Sequence, residues 1–146
     1  MKGMTIIVKT VTKIFCGVIV LFGIYIVLHG HLTPGGGFAG GVIISGAFIL
    51  IIIAFGSEFL ALKKEEIGSS LAESGSILGF LIVGALGMVV GGFHIFFKNF
   101  LPHGTVGKLL SAGAIPLFNI VVGIEVAAGL LTIFLALIIF KEEVLK

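Results

Sequence analysis

The chain has no Arg, Asp, Gln or Trp, and only one Cys in 146 residues. Charge is scarce: 11% of residues carry it, against roughly 25% in ordinary soluble domains. With 58% hydrophobic residues and a mean hydropathy of +1.32, too little polar surface is left to cover a soluble globule. Composition therefore excludes a soluble enzyme or binding module and points to an integral membrane protein. Cys16 is alone, so no internal disulfide exists, and its place in an apolar run says little about redox compartment. The nine Lys are scattered rather than patched, so nothing marks a nucleic-acid partner. Lys and Glu carry nearly all the charge, a bias that both hyperthermophily and genome base composition produce.

Hydrophobic runs, by contrast, are abundant. Four stand out, at about Val11–Leu28, Phe38–Gly56, Gly75–Phe97 and Leu117–Phe140, each close to the ~20 apolar residues that cross a bilayer. The first resembles a signal peptide in having Lys before its apolar core. It lacks a small-residue cleavage site before His29 and three more spans follow, so it is expected to be a true span. The expected fold is an all-α integral membrane protein of four transmembrane helices, a single membrane domain over 1–146. The two terminal tails and the Glu58–Ser74 connection hold Lys2, Lys9, Lys13, Lys63, Lys64, Lys141 and Lys146, while the two opposite connections hold Lys98 and Lys108. The positive-inside rule then puts both termini in the cytoplasm. Tyr25, Phe93, Phe96, Phe97 and Phe100 fall near the outer ends, as an interfacial aromatic belt would. The Glu58–Ser74 segment is expected to prolong the second helix and turn at Gly68-Ser69-Ser70. Gly104–Ala112 is expected to form a short interfacial helix, and Pro116 to lie in the first turn of the fourth span, where its missing N–H costs nothing.

Glu125 is the sharpest single residue, the one acidic side chain expected inside a span. It lies roughly 12 Å below the start of the fourth span at 1.5 Å per residue. A charge at that depth costs roughly 2.5–3.5 kcal/mol on insertion scales, so it needs a partner, a proton, water or a role. Ala128, Gly129 and Thr132 share its helix face, and Asn119 and Gly123 lie one to two turns outward. One reading is a protonatable or cation-binding position on an ion path; the other is a neutral or paired Glu bonding an adjacent helix. His29, His31, His94 and His103 all fall near the outer ends. Together they could relay protons, but an H-x-H pair with two scattered His is weak spacing for a catalytic metal, which wants three or more ligands. The plain reading is interfacial His bonding loop carbonyls. No metal or other cofactor is expected.

The segment from His29 to Gly41 holds two His, a Pro and six Gly between two spans. Gly36, Gly40 and Gly41 with Ser45 offer a small-residue surface for close helix contact, as do Gly75 with Gly79, and Gly84 with Gly87 and Gly91. The alternative for Pro34–Gly37 is an irregular backbone lining an ion path. A phosphate-cradling loop is excluded, since no Lys-Ser/Thr follows the glycines.

The run HGHLTPGGGFAGGVI and the later stretch SAGAIPLFNIVVGIEVAAG resemble the B subunit (MnhB/MrpB type) of multisubunit Mrp-type sodium/proton antiporters. The likeness runs from about Thr5 to Phe140, and its most specific part is P-G-G-G-F-x-G-G, from Pro34 to Gly41. The resemblance implies a small four-helix subunit of a large complex that couples Na+ and H+ movement, in an archaeal or bacterial cytoplasmic membrane. It also implies other antiporter subunits as partners, or those of a related membrane-bound hydrogenase or sulfur-reducing complex, besides membrane lipids. The residues carried over are Gly30, Pro34, Gly35, Gly36, Gly37, Phe38, Gly40 and Gly41, with Asn119 and Gly123. None has an assigned ion-ligand role. The ion-pathway candidates Glu125, Asn119, Thr132, His29, His31 and His94 rest on their placement. A purely structural assembly subunit without ion contact is the alternative function.

Overall fold

The structure, a computed structural model, describes residues 3–56, 62–90, 95–109 and 111–144. It consists of four helices: α1 (Ile6–Leu28), α2 (Gly36–Phe55), α3 (Leu62–Val90) and α4 (Ile115–Val144). All four are long and apolar enough to cross a membrane. At 1.5 Å per residue even the shortest, α2, spans about 30 Å, the thickness of the hydrocarbon core. Helices suit that medium because every backbone bond is met within the segment. Among the described residues there is no strand. Large side chains such as Ile6, Ile7, Leu21 and Leu137 point outward, more than 60% exposed, the inverse of a soluble protein. The buried set is mostly small, with Ile52, Leu135 and Ile138 forming one core cluster between α2 and α4.

The helices pack in the order α1, α2, α4, α3, with only light contact between α1 and α4. Glycines set the close approaches. A Cβ on Gly40 would meet Gly23 O at 2.8 Å and Val27 N at 3.0 Å on α1. One on Gly41 would meet Gly123 O at 2.6 Å and Val126 Cβ at 2.9 Å on α4. Adjacent glycines thus admit a helix on each side of α2, the surface expected from the motif. The Cys16 thiol donates to Ala47 O at 3.1 Å and ties α1 to α2 near mid-span. Lys9 and Lys13 reach over the Phe55 ring at 5.7 and 5.4 Å, anchoring the end of the bundle that carries the N-terminus (the terminal end). The opposite end, with the 29–35 and 95–114 connections, is the motif end.

Three expectations change. Residues 62–74 belong to α3, and Gly68-Ser69-Ser70 is helical rather than a turn. The Ser69 hydroxyl donates back to Glu66 O at 3.0 Å and Ser76 to Glu73 O at 2.8 Å. Serine can therefore stay inside the helix, and the contact with α4 overrides its weak propensity. The 104–112 segment holds turns, with no helix among its described residues. Gly84 and Gly87 make room for the returning chain rather than for a helix: Cβ atoms there would strike the Phe97 ring and the Lys98 backbone. Phe97, at φ 62°, sits 5.5 Å from Phe80 and 5.4 Å from Phe118, so it caps the α3–α4 contact while nearly half of it stays exposed at that end of the bundle. Phe93 lies outside the described residues. Pro116 falls in the first turn of α4, as expected.

Asn99 fastens the 95–114 connection to α4. Its Oδ1 accepts from Ala114 N at 2.9 Å and Leu101 N at 3.3 Å, while its Nδ2 donates to Leu101 O at 2.7 Å. Asn99→Ala strands the buried Ala114 N–H, at a cost of about 1–3 kcal/mol. We expect faster proteolytic cutting between 99 and 113 with all four helices retained. Unchanged cutting would mean that the connection is held elsewhere.

Candidate functional site

α3 and α4 run antiparallel, and their shared face is polar over two turns. The Thr132 hydroxyl donates to Ser69 Oγ at 2.8 Å, and one turn further toward the motif end Glu73 faces Gly129, where an added Cβ would lie 3.7 Å from its carboxyl. Continuing that register by a turn sets the buried Ser76 level with Glu125. Closer to the motif end the face becomes apolar at Gly79–Val121 and at the Phe80–Phe118 pair, 5.2 Å between centroids. The result is a ladder of hydroxyls and carboxyls leading from the terminal end toward mid-membrane, closed by aromatic rings.

Glu125 lies ten residues into α4, about 15 Å from its start. It is half-buried and has no hydrogen-bond or ionic partner among the described residues. It shares the α3-facing strip with Val121, Gly129 and Thr132. Glu73 is a second carboxyl on the same seam, about 6 Å nearer the terminal end if it follows the one-turn offset of Gly129 from Glu125. The expectation that Glu125 is the only acid on a spanning helix therefore changes, because α3 begins earlier than its hydropathy suggests and carries Glu73 within a helix long and apolar enough to cross a membrane. Glu66, Ser69, Glu73 and Ser76 recur at three- and four-residue spacing, a helical stripe already present in the sequence.

The other candidates gather at the motif end. Asn119 lies among the motif glycines: a Cβ on Gly30 would meet its Nδ2 at 2.8 Å, one on Gly36 its Oδ1 at 3.6 Å, and one on Gly37 would collide with its backbone oxygen. Gly36 begins α2 at φ 69°, a conformation that disfavours any side chain there. The motif thus closes the α1–α2 turn over Asn119, whose Nδ2 is buried without an acceptor among the described residues. Pro34 and Phe38 are exposed and line none of this. His29 stacks on Tyr25 at 4.1 Å and its Nδ1 bonds Tyr25 O at 2.9 Å. His31 donates from Nε2 to Lys108 O at 3.3 Å, pinning the two connections together. His103 lies 3.3 Å from Asn99 Nδ2, and His94 is outside the described residues. Among the described residues no three His, Cys, Asp or Glu converge on a possible metal position. The structure thus separates Asn119, His29 and His31 from Glu125 and Thr132.

A multi-pass membrane bundle with a polar seam in its interior is the class these features define. Residues 7–132 match the family model described as a domain related to the MnhB subunit of Na+/H+ antiporter, and the chain belongs to that family. An uncharacterized protein of Methanocaldococcus jannaschii is 43% identical over 117 residues, which cover 77% of this chain and 44% of that protein. A Staphylococcus saprophyticus protein named as antiporter subunit mnhB2 is 41% identical over 81 residues, 56% of this chain and 57% of its own. Among solved structures, a chain of the membrane-bound sulfane sulfur reductase, an archaeal respiratory membrane complex, matches with a TM-score of 0.72 and 35% identity, over 89% of this chain and 56% of that one. The chain spans about half the length of these relatives.

Proposed function

We propose that this chain is a membrane subunit of a multisubunit Na+/H+ antiporter module and that its α3–α4 seam forms part of a cation or proton route. The observation that carries this reading is Glu125, a carboxyl at mid-span on a face that continues through Glu73, Ser69 and Thr132 toward the terminal end. Carboxyls at such depth are retained where a proton or cation moves, because an idle charge there is costly. The partners are other subunits of an antiporter, or of a redox complex that drives such a module. The Lys distribution supports a topology with both termini in the cytoplasm, in which the seam would open toward the cytoplasm and the motif end would face outward.

Purification of the tagged chain from native membranes in mild detergent, followed by mass spectrometry, tests the assignment. Antiporter subunits alone would define a secondary antiporter; hydrogenase-like or iron–sulfur subunits would define a redox-driven pump. Isolation without partners, under conditions that keep other membrane complexes whole, would remove this reading. Orientation has its own test. A single cysteine at Lys108, in a Cys16→Ala background, is expected to react with an impermeant maleimide added to whole cells, and labelling only after lysis would invert the topology.

The second reading, an assembly subunit without ion contact, is favoured by the interlocked glycines at 23, 37, 40, 41 and 123. The two readings part on whether neutralising Glu125 changes exchange in a fully assembled complex.

A further inference from the structure

The polar seam stops short of the motif end. One to two turns beyond Glu125, roughly 6–10 Å along the helices, Phe80 of α3, Phe118 of α4 and Phe97 of the 95–114 connection form a closed triangle. Its edges are 5.5 Å from Phe80 to Phe97, 5.2 Å from Phe80 to Phe118 and 5.4 Å from Phe97 to Phe118. The rings tilt by 58°, 65° and 61° in the same order, so each turns an edge toward a neighbour's face, a preferred aromatic contact. Rings at such spacing touch and leave no room for water between them.

Phe97 is the member that no helix holds. Its φ of 62° is one that a residue with a Cβ rarely adopts, and it persists only where the surroundings impose it. Those surroundings are the two rings, a bond from Phe97 N to Gly84 O at 3.3 Å, and the wall cleared by Gly84, where a Cβ would lie 2.7 Å from Phe97 Cε1. Phe97 is 46% exposed, so leaving the triangle carries it outward and unpacks no helix. Phe80 and Phe118 are half-buried on helices whose register Thr132 and Ser69 help to fix.

We propose that Phe97 is the movable part of a hydrophobic gate that shuts the motif-end side of the α3–α4 seam. Seated, the three rings exclude water and therefore ions, as apolar constrictions do. Displaced, Phe97 frees Phe80 and Phe118 to part and joins the seam to that end of the bundle. The inference rests on the reading of the seam as a cation or proton route and adds where that route is closed.

The test removes the ring and then returns it. Phe97→Cys, in a Cys16→Ala background, is purified within its complex, reacted with benzyl or sulfonatoethyl methanethiosulfonate, and reconstituted in vesicles. The Cys16→Ala complex carried through the same reactions is the reference. Proton entry driven by a K+ diffusion potential, without Na+, is followed by an entrapped pH dye and normalised to intact complex. Unmodified Phe97→Cys is expected to admit protons at least about tenfold faster than the reference, a factor that the loss of two ring contacts supplies. The benzyl adduct should restore the seal, which one ring would not do for a misfolded bundle, and the charged sulfonatoethyl adduct should leave it open. Adding Glu125→Gln should abolish the leak. Should Phe97→Cys assemble poorly, Phe97→Leu, which keeps apolar bulk without a ring, is read in its place with and without Glu125→Gln. A tight complex without the ring, or a leak that the benzyl adduct does not close, overturns the gate. A leak that persists with Glu125→Gln would put the rings on some other path and overturn it too. Lost exchange in Glu125→Gln alone, beside a tight Phe97→Cys complex, would remove the gate while keeping the route.

Discussion

Gly41→Leu is expected to remove the chain from its membrane complex, whereas Gly46→Leu, five residues along the same helix, is expected to leave assembly unchanged. A Cβ at Gly41 would lie 2.6 Å from Gly123 O, 2.9 Å from Val126 Cβ and 3.2 Å from Ala127 N. Two of these atoms belong to the α4 backbone and the third to a β-branched side chain fixed at its root, so no rotamer change relieves the overlap. α2 and α4 would have to separate, and the neighbouring Gly40 holds α2 on α1 by the same means. Overpacking in well-packed cores costs about 1–3 kcal/mol when side chains can yield, and more is expected here because backbone must move. In lipid no hydrophobic term between helices compensates, since association there depends on close packing. At Gly46 an added Cβ meets nothing within 4 Å. The measurement is the amount of intact complex on a native gel of solubilised membranes, with the total chain determined by immunoblot. Equal complex from the two variants would show that the α2–α4 contact does not govern assembly.

The contrast between those glycines was half legible beforehand. Gly36, Gly40, Gly41 and Ser45 read correctly as a contact surface because their spacing puts small residues on adjoining helix faces. The same pattern at Gly84 and Gly87 misled, since spacing shows that something comes close without showing what. There it is the 97–98 backbone, placed by Phe97 at a positive φ that nothing local announces. The four spans were legible because hydropathy marks them. The start of α3 was not, because Gly68-Ser69-Ser70 carries turn-forming residues, and helicity there depends on Ser69 bonding Glu66 O and receiving Thr132 from 63 positions away. Misplacing that start leaves Glu73 in a connection rather than on a spanning helix. Continuing the Glu66, Ser69, Glu73, Ser76 stripe across the Gly-Ser run would have found it.

Glu125→Gln is expected to leave the complex assembled and to lower Na+/H+ exchange at least about tenfold, equivalent to ~1.4 kcal/mol or more on the transport barrier. Glutamine keeps the size of the side chain and most of its hydrogen-bonding capacity while removing the ability to hold a proton reversibly or a cation by charge. If Glu125 served only packing, neutralising it would spare the bundle an insertion cost of roughly 2.5–3.5 kcal/mol and would be neutral or stabilising. Loss of exchange with retained assembly therefore separates the conducting reading from the structural one. Glu73→Gln, one turn along the seam and beside Gly129, should give the same phenotype if the route passes both carboxyls. Thr132→Val, which removes the bond to Ser69, should weaken exchange less because it changes no charge. Exchange is read as Na+-induced collapse of a pH gradient in inverted membrane vesicles, normalised to intact complex on native gels. Wild-type exchange by both Gln variants, in complexes assembled to wild-type amounts, would show that no ion uses this seam and would leave the interlocked glycines as the chain's contribution.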